Sequence, residues 1–137
     1  MNRKVWIWGD IAFYLAVLIA AVILRPRTRI QIAALAVAAV AFPLWIAARV
    51  QLGSALSLWP EARTLVTTGL YSRIRHPVYL FGTVASLSAL LALQIWPVFA
   101  IGVALVPLTL VRAWREQRVL ESAFGERYRE YREQTWF

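Results

Sequence analysis

Four apolar runs, each close to the length that crosses a bilayer, dominate this chain of 137 residues. They cover residues 5–24, 30–50, 76–93 and 95–111. An α-helix rises about 1.5 Å per residue, so about 20 apolar residues span the hydrocarbon core of a membrane. The composition agrees, because the sequence is 61% hydrophobic whereas a soluble domain is about 45–50% apolar. The runs predict an all-α, polytopic membrane protein with about four transmembrane helices in one domain, residues 1–137.

The junction between the third and fourth runs is very short. Gln94 alone separates them, which predicts a tight antiparallel helix hairpin. Pro77 suits the first turn of the third helix, where its missing N–H leaves no helical hydrogen bond unmade. Gly82 and Ser86, four residues apart, place small side chains on one face of this helix. We expect a neighbouring helix to approach closely at that face.

The sequence changes character after residue 111. Charged residues become frequent, and apolar and aromatic residues recur at spacings of four, four and three: Leu120, Phe124, Tyr128 and Tyr131. This periodicity predicts a C-terminal amphipathic helix that lies at the membrane surface and is interrupted near Gly125. Residues 51–75 contain no run of membrane length. We expect the 51–75 and 112–137 segments to build a polar site on the same, cytoplasmic face.

Charge predicts that orientation. The net charge is +8, from fourteen arginines and one lysine against seven acidic residues. Four crossings place the N-terminus, the 51–75 loop and the 112–137 tail on one side, which then holds twelve of the fifteen cations. The positive-inside rule makes that side cytoplasmic, in a cell inner or plasma membrane. The three arginines of residues 25–29 fall on the opposite side and weaken the asymmetry.

Positive charge beside apolar runs is typical of contact with anionic lipid, so membrane lipids are the expected partners. Nucleic acid is not expected, since the chain carries no motif or helix of base-reading side chains. A metal site is not expected either, because the chain has one histidine, no cysteine, and no acidic residue near that histidine in sequence. The sequence leaves the oligomeric state open.

Polar side chains from separate segments converge at the predicted cytoplasmic face. They are Tyr71, Arg75, His76, Tyr79, Arg112 and Glu116. Each has a structural interpretation: a satisfied interfacial histidine, tyrosines of an aromatic belt, arginines that anchor the chain, or a surface ion pair. At the first turn of the third run we expect the burial of His76 and Tyr79 to be incomplete. Arg112 and Glu116 lie four residues apart and share one helical face. By themselves these residues indicate a polar site on a membrane protein and do not select a reaction.

Two stretches resemble the paired signature of a membrane enzyme family. In "LVTTGLYSRIRHPVYL", residues 65–80, a Thr-Gly-x-Tyr stretch leads into Arg-His-Pro-x-Tyr. In "RAWREQRVLESAFGERYREY", residues 112–131, an acidic helix ends in Phe-Gly-x-x-Tyr. In this order, across a membrane hairpin, they resemble the isoprenylcysteine carboxyl methyltransferase family and its relatives, the phospholipid N-methyltransferases. The resemblance covers roughly residues 49–132.

The resemblance implies a membrane methyltransferase that uses S-adenosylmethionine (SAM) and methylates a lipophilic acceptor. Isoprenylcysteine carboxyl O-methylation is the first expectation, and N-methylation of a phospholipid of the phosphatidylethanolamine type is the alternative. The implied catalytic residues are Arg112, which would face the acceptor, and Arg75. The implied cofactor-binding residues are Arg63, Thr64, Leu65, Val66, Tyr71, His76, Pro77, Val78, Tyr79 and Glu116.

The chain departs from the family pattern at three positions. Many relatives carry two adjacent glutamates on the tail helix, whereas the second position here is Gln117. Phe81 replaces a common glycine, and Leu56 occupies an upstream position that is often polar. Two other classes stay open: an NADPH-dependent membrane reductase, since sterol reductases carry a similar Arg-His-Pro-x-Tyr, and a non-catalytic membrane module. The sequence does not name the methyl acceptor.

Overall fold

The computed structural model describes residues 12, 14–16, 19–20, 22–23, 28–52 and 65–136. Its helices after residue 28 are α1 (Arg29–Leu52), α2 (Pro77–Leu93), α3 (Trp96–Phe124) and α4 (Glu126–Gln134). A 3₁₀ turn, Gly69–Ser72, precedes α2. The described residues contain no β-strand, which agrees with the predicted all-α class. In the first apolar run the described residues are helical, and the others lie outside the described part of the chain.

Two of these helices are long and apolar enough to cross a membrane: α1 with 24 residues and α3 with 29. At 17 residues, α2 is apolar but shorter. Large apolar side chains stand exposed on the helix surfaces, among them Val40, Ile101 and Leu108. A soluble protein rarely leaves such a surface in water, whereas lipid chains solvate it. The apolar helices are therefore those of a membrane protein.

The N-terminus of α1 is closed by a reciprocal cap. The backbone N–H of Thr28 donates to Oε1 of Gln31 at 3.1 Å, and the backbone N–H of Gln31 donates to Oγ1 of Thr28 at 3.2 Å. This Thr-x-x-Gln capping box satisfies donors that the first helical turn would otherwise leave free. It places the start of α1 at Arg29, the last arginine of the 25–29 stretch.

Helices α1 and α2 pack closely in opposite directions. Nε2 of Gln31, near the start of α1, donates to the carbonyl of Ala92, near the end of α2, at 3.2 Å. Further along, Gly82 lies against Trp45, and a Cβ at Gly82 would come within 2.9 Å of the indole nitrogen. The predicted close approach at Gly82 is confirmed. Small buried side chains fill the rest of this interface: Ala34, Ala38, Ala41, Ala48, Ala85, Ala89 and Ala92.

The other small residue of that face, Ser86, receives a contact from the first apolar run. Its hydroxyl is hydrogen-bonded to the hydroxyl of Tyr14. The Tyr14 ring also packs against Phe42 and Trp45, with centroid separations of 5.6 and 5.0 Å. The first run is therefore attached to the α1–α2 pair by an aromatic cluster.

The helix α3 corrects the predicted division of the C-terminal half. We expected a membrane helix over 95–111 and a separate amphipathic helix from residue 112, but α3 runs unbroken from Trp96 to Phe124. Arginine, glutamate and glutamine are good helix formers, so the change from apolar to charged composition does not end the helix. The predicted interruption is confirmed at Gly125, which separates α3 from α4. At about 1.5 Å per residue, α3 is about 43 Å long and carries its charged end beyond the apolar segment.

The end of the chain folds back onto the segment before α2. The Tyr131 hydroxyl donates to the carbonyl of Tyr71 at 2.6 Å, and the Trp136 N–H donates to the carbonyl of Arg73 at 3.0 Å. A single parallel bridge pairs Ile74 with Trp136. We call residues 126–136 the C-terminal clasp, because these contacts close it over the 3₁₀ turn.

Candidate functional site

The Thr-Gly-x-Tyr stretch folds into the 3₁₀ turn, which is fixed to the end of α1. Gly69 has φ +64°, a conformation that side chains with a Cβ rarely adopt, and a Cβ there would also overlap Gln51. Oε1 of Gln51 accepts a hydrogen bond from the Leu70 N–H at 2.8 Å. The turn buries Tyr71, so the glycine of the motif serves to place the tyrosine.

His76 is the residue immediately before α2, and it is buried, with 5% of its surface exposed. We expected incomplete burial there, which is wrong, because α3 covers the imidazole. Nε2 of His76 lies 2.9 Å from Nε2 of Gln117 on α3. An amide nitrogen only donates, so Nε2 of His76 accepts and the neutral ring carries its proton on Nδ1. The position where this chain departs from the family's second glutamate is thus the one that binds His76.

A second contact joins α2 to α3 one helical turn from His76. Tyr79 is hydrogen-bonded both to Glu116, whose carboxylate accepts from the phenol, and to Arg112. Burial raises the pKa of Glu116, while the hydrogen bond from Tyr79 and the Arg112 charge act in the opposite direction. The His76 and Tyr79 rings are also in contact, with centroids 5.8 Å apart. We call Tyr79, Arg112 and Glu116 the α2–α3 polar cluster.

The structure brings five of the predicted site residues together. Tyr71 lies near the α2–α3 polar cluster, because the charge of Glu116 acts on its phenol. Burial raises the pKa of Tyr71, and the Glu116 charge raises it further. Glu116 therefore acts on tyrosines from two segments, the 3₁₀ turn and α2. The convergence that the sequence predicted for these side chains is present.

The remaining predicted residues have different surroundings. The Pro77 ring is fully buried, and Val78 packs against the Phe42–Trp45 cluster, so both side chains serve packing. Leu65 and Val66 are half-buried in the segment before the turn, which has no regular secondary structure. Arg63 and Thr64 lie outside the described residues.

Arg75 points toward the C-terminal clasp. Its charge acts on His76 and on the clasp residues Tyr128 and Tyr131. Sequence reasoning assigned both tyrosines only to an apolar helix face. Tyrosine carries a hydroxyl as well as a ring, so the spacing alone could have marked them as candidates for a polar site.

No group of three or more His, Cys, Asp or Glu residues that could hold a metal ion occurs in the described part of the chain. The chemistry of the site is that of a carboxylate, phenols, a neutral imidazole and arginine side chains at one end of a helix bundle. All of them come from the loop before α2, the first turn of α2, the charged half of α3, and α4.

The matched family decides which chemistry this arrangement belongs to. Residues 29–127 match the phospholipid methyltransferase family. The chain belongs to this family. The match runs from the first residue of α1 into the first turn of α4, and it contains the α2–α3 polar cluster and His76. Searches of curated proteins and of solved structures each gave no significant match.

Membership confirms the membrane methyltransferase part of the prediction. The family belongs to the group of membrane methyltransferases that also includes the isoprenylcysteine carboxyl methyltransferases. Methyltransferases of this family generally use SAM. Membership does not distinguish a carboxylate acceptor from the amine of a phospholipid.

The burial of His76 predicts acid sensitivity. Burial, followed by the Arg75 charge, lowers the pKa of His76 from 6.5 to about 4. His76 precedes α2 and lies outside its membrane segment. In the unfolded chain His76 becomes protonated below about pH 6.5, whereas in the folded protein it stays neutral down to about pH 4. Protonation therefore favours the unfolded state between these values, and the free energy of unfolding decreases as the pH falls from 6.5 to 4. We expect the melting temperature in detergent to fall between pH 6.5 and 4, and to fall less in His76→Gln.

This comparison isolates His76 because the two proteins share every other titrating group. Burial raises the pKa of Glu116, so its titration changes stability in the opposite direction. This contribution is the same in wild type and in His76→Gln. Glutamine at position 76 keeps an acceptor for Gln117. The prediction would be contradicted if the melting temperatures of wild type and His76→Gln fell by the same amount between pH 6.5 and 4.

Proposed function

We propose that this protein transfers a methyl group from SAM to a lipophilic acceptor at the membrane face where α2 begins. The observation that carries the proposal is the α2–α3 polar cluster in a member of a methyltransferase family. Its half-buried carboxylate and phenol stand beside an arginine that is exposed at the end of the apolar segment of α3. This is a boundary where a water-soluble cofactor and a membrane-borne acceptor can meet.

The described donor set fits the charges of SAM. Glu116 would accept hydrogen bonds from the amino group, and the rings of Tyr71 and Tyr79 suit the sulfonium cation. The backbone N–H groups of Val78 and Tyr79 open α2, where no described side chain caps the helix, and they suit a carboxylate. When bound, SAM supplies an activated methyl group.

The chain's own contribution is to hold and orient the reactants. Arg112 carries the positive charge that would orient an anionic acceptor, while its hydrogen bond to Tyr79 fixes the guanidinium against α2. An acceptor carboxylate is ionised at neutral pH and needs orientation rather than a base. We therefore propose a carboxylate of the isoprenylcysteine type as the first acceptor.

A phospholipid amine is the second candidate, and two observations favour it. The family that the chain matches is described as phospholipid methyltransferase. In addition, an amine must lose its proton before methylation, and burial raises the pKa of Glu116, which makes its carboxylate a better base. For either acceptor, the exposed apolar surface of α3 would allow entry from the bilayer.

The four-crossing topology belongs to this proposal. It places the α2–α3 polar cluster, the N-terminus and the C-terminal clasp on the cytoplasmic side, where SAM is available. We expect reporter fusions at residue 27 and after residue 137 to lie on opposite sides of the membrane. Finding both reporters on one side would contradict the topology while leaving the methyltransferase proposal open to its own test.

Separate roles for Glu116 and Arg112 test the proposal directly. Loss of a buried, charged hydrogen bond costs about 1.5–3 kcal/mol, so we expect Glu116→Gln to weaken SAM binding by about ten- to a hundredfold. Arg112→Leu should leave SAM affinity nearly unchanged and raise the KM for the acceptor or lower kcat. Calorimetry with SAM and methyl transfer into membrane extracts measure the two effects.

Glu121→Gln is the matched control, because Glu121 lies on the same helix and pairs instead with Arg129 at 3.2 Å. It should leave SAM affinity unchanged. Equal SAM affinities for wild type and Glu116→Gln would remove Glu116 from the cofactor site. Titration with NADPH in the same experiment tests the reductase alternative, and binding of neither ligand would favour a non-catalytic module.

The pH dependence of the rate distinguishes the two acceptors. A carboxylate acceptor is fully ionised above about pH 5, so kcat/KM should show no rise from a basic group between pH 6 and 9. An amine acceptor must deprotonate, so the rate should climb with pH across that range. Wild-type enzyme and one labelled acceptor of each class suffice for the measurement.

A further inference from the structure

Two buried polar groups beside the α2–α3 polar cluster have no hydrogen-bond partner among the described residues. They are Nε of Arg75 and the hydroxyl of Tyr128. Folded proteins satisfy the great majority of their buried polar groups, and each one left unsatisfied reduces stability. An unsatisfied pair next to a candidate site therefore points to a ligand.

The two groups lie close enough to act on each other. After burial, the Arg75 charge is the largest influence on the pKa of Tyr128, and Glu116 comes next. The Tyr128 side chain is fully enclosed, with 1% of its surface exposed. Its neighbour Tyr131 already uses its hydroxyl in the C-terminal clasp, bonded to the Tyr71 carbonyl. Tyr128 thus presents a donor that the fold itself does not use.

The chemistry of the pair selects the ligand group. A guanidinium N–H only donates, whereas a phenol hydroxyl both donates and accepts. Nε of Arg75 therefore requires an acceptor atom, the Tyr128 hydroxyl can donate to the same atom, and the Arg75 charge favours an acceptor that is negative. Carboxylate and phosphate oxygens meet these requirements.

We propose that Arg75 and Tyr128 form an oxyanion subsite beside Glu116, in which Nε of Arg75 and the Tyr128 hydroxyl hold an oxygen of a bound carboxylate or phosphate. The proposal rests on the proposed function only for the source of this oxyanion. The source is either the carboxylate of SAM or the phosphate of a lipid acceptor. Tyr128 then binds ligand from α4, so the C-terminal clasp contributes to the site as well as to the fold.

Stability without ligand gives the first test, on the full chain in a phosphate-free detergent. Tyr128→Phe removes an unsatisfied buried donor, so its melting temperature should equal or exceed that of wild type. Tyr131→Phe is the matched control, because it removes a hydroxyl that is satisfied at 2.6 Å, and its melting temperature should fall. If Tyr128→Phe lowered the melting temperature as much as Tyr131→Phe does, the Tyr128 hydroxyl would already have a hydrogen-bond partner, such as a buried water. That result would overturn the proposal.

Binding gives the second test. We expect Tyr128→Phe to reduce the affinity for the oxyanion ligand by about tenfold. Arg75→Lys keeps the charge but loses Nε, and it should reduce this affinity by about the same factor. Arg73→Lys, an exposed arginine two residues earlier, should change nothing. The ligand pairs are SAM against decarboxylated SAM, and a short-chain phosphatidylethanolamine against a diacylglycerol with the same chains.

The outcomes separate the two sources and both proposals. Loss of SAM affinity, with decarboxylated SAM unaffected, assigns the subsite to the cofactor carboxylate. Loss of phospholipid affinity, with diacylglycerol unaffected, assigns it to a lipid phosphate. If wild type binds no SAM, the proposed function fails, while the phospholipid pair still tests the subsite. Unchanged affinities for every ligand that wild type binds would overturn the subsite.

Discussion

The close contact between Gly82 of α2 and Trp45 of α1 is the constraint on which the rest of the structure depends. Inside a membrane, water does not drive helices together, so association relies on close packing of small residues. The alanines of both helices allow that approach along the interface, and Gly82 admits the buried indole. Once α1 and α2 are fixed, the end of α1 holds the 3₁₀ turn through Gln51, and the start of α2 presents His76 and Tyr79 to α3.

The site is built where α3 passes the start of α2. Gln117 and Glu116 are adjacent in sequence yet contact different partners, because His76 lies immediately before α2 and Tyr79 lies one helical turn later. Apolar residues anchor one half of α3, and its other half supplies the charge. An uninterrupted helix therefore holds the charged groups at a fixed height above the apolar segment, and the C-terminal clasp closes the remaining side.

Much of the site could be predicted from the sequence, and the failures share one cause. The expected convergence of the 51–75 loop, the start of the third run and the tail correctly grouped Tyr71, His76, Tyr79, Arg112 and Glu116. The burial of His76 was missed because it depends on Gln117, 41 residues away, and periodicity does not report which neighbour covers a side chain. The continuity of α3 was missed because a change in composition resembles a helix boundary, although charged residues propagate a helix well.

The sequence by itself determined the helical class, the apolar segments, the helix start at Pro77, the break at Gly125 and the family-like motifs. These are local properties, since hydropathy, proline and glycine act on the few residues around them. The tertiary structure alone decided that Gln117 binds His76, that Tyr131 closes the chain over Tyr71, and that Arg75 and Tyr128 are left as buried donors without described partners. The two hydrogen bonds join residues that are distant in sequence, and only the packing of α2, α3 and α4 brings their atoms within reach. The same packing leaves Nε of Arg75 and the Tyr128 hydroxyl without a described acceptor.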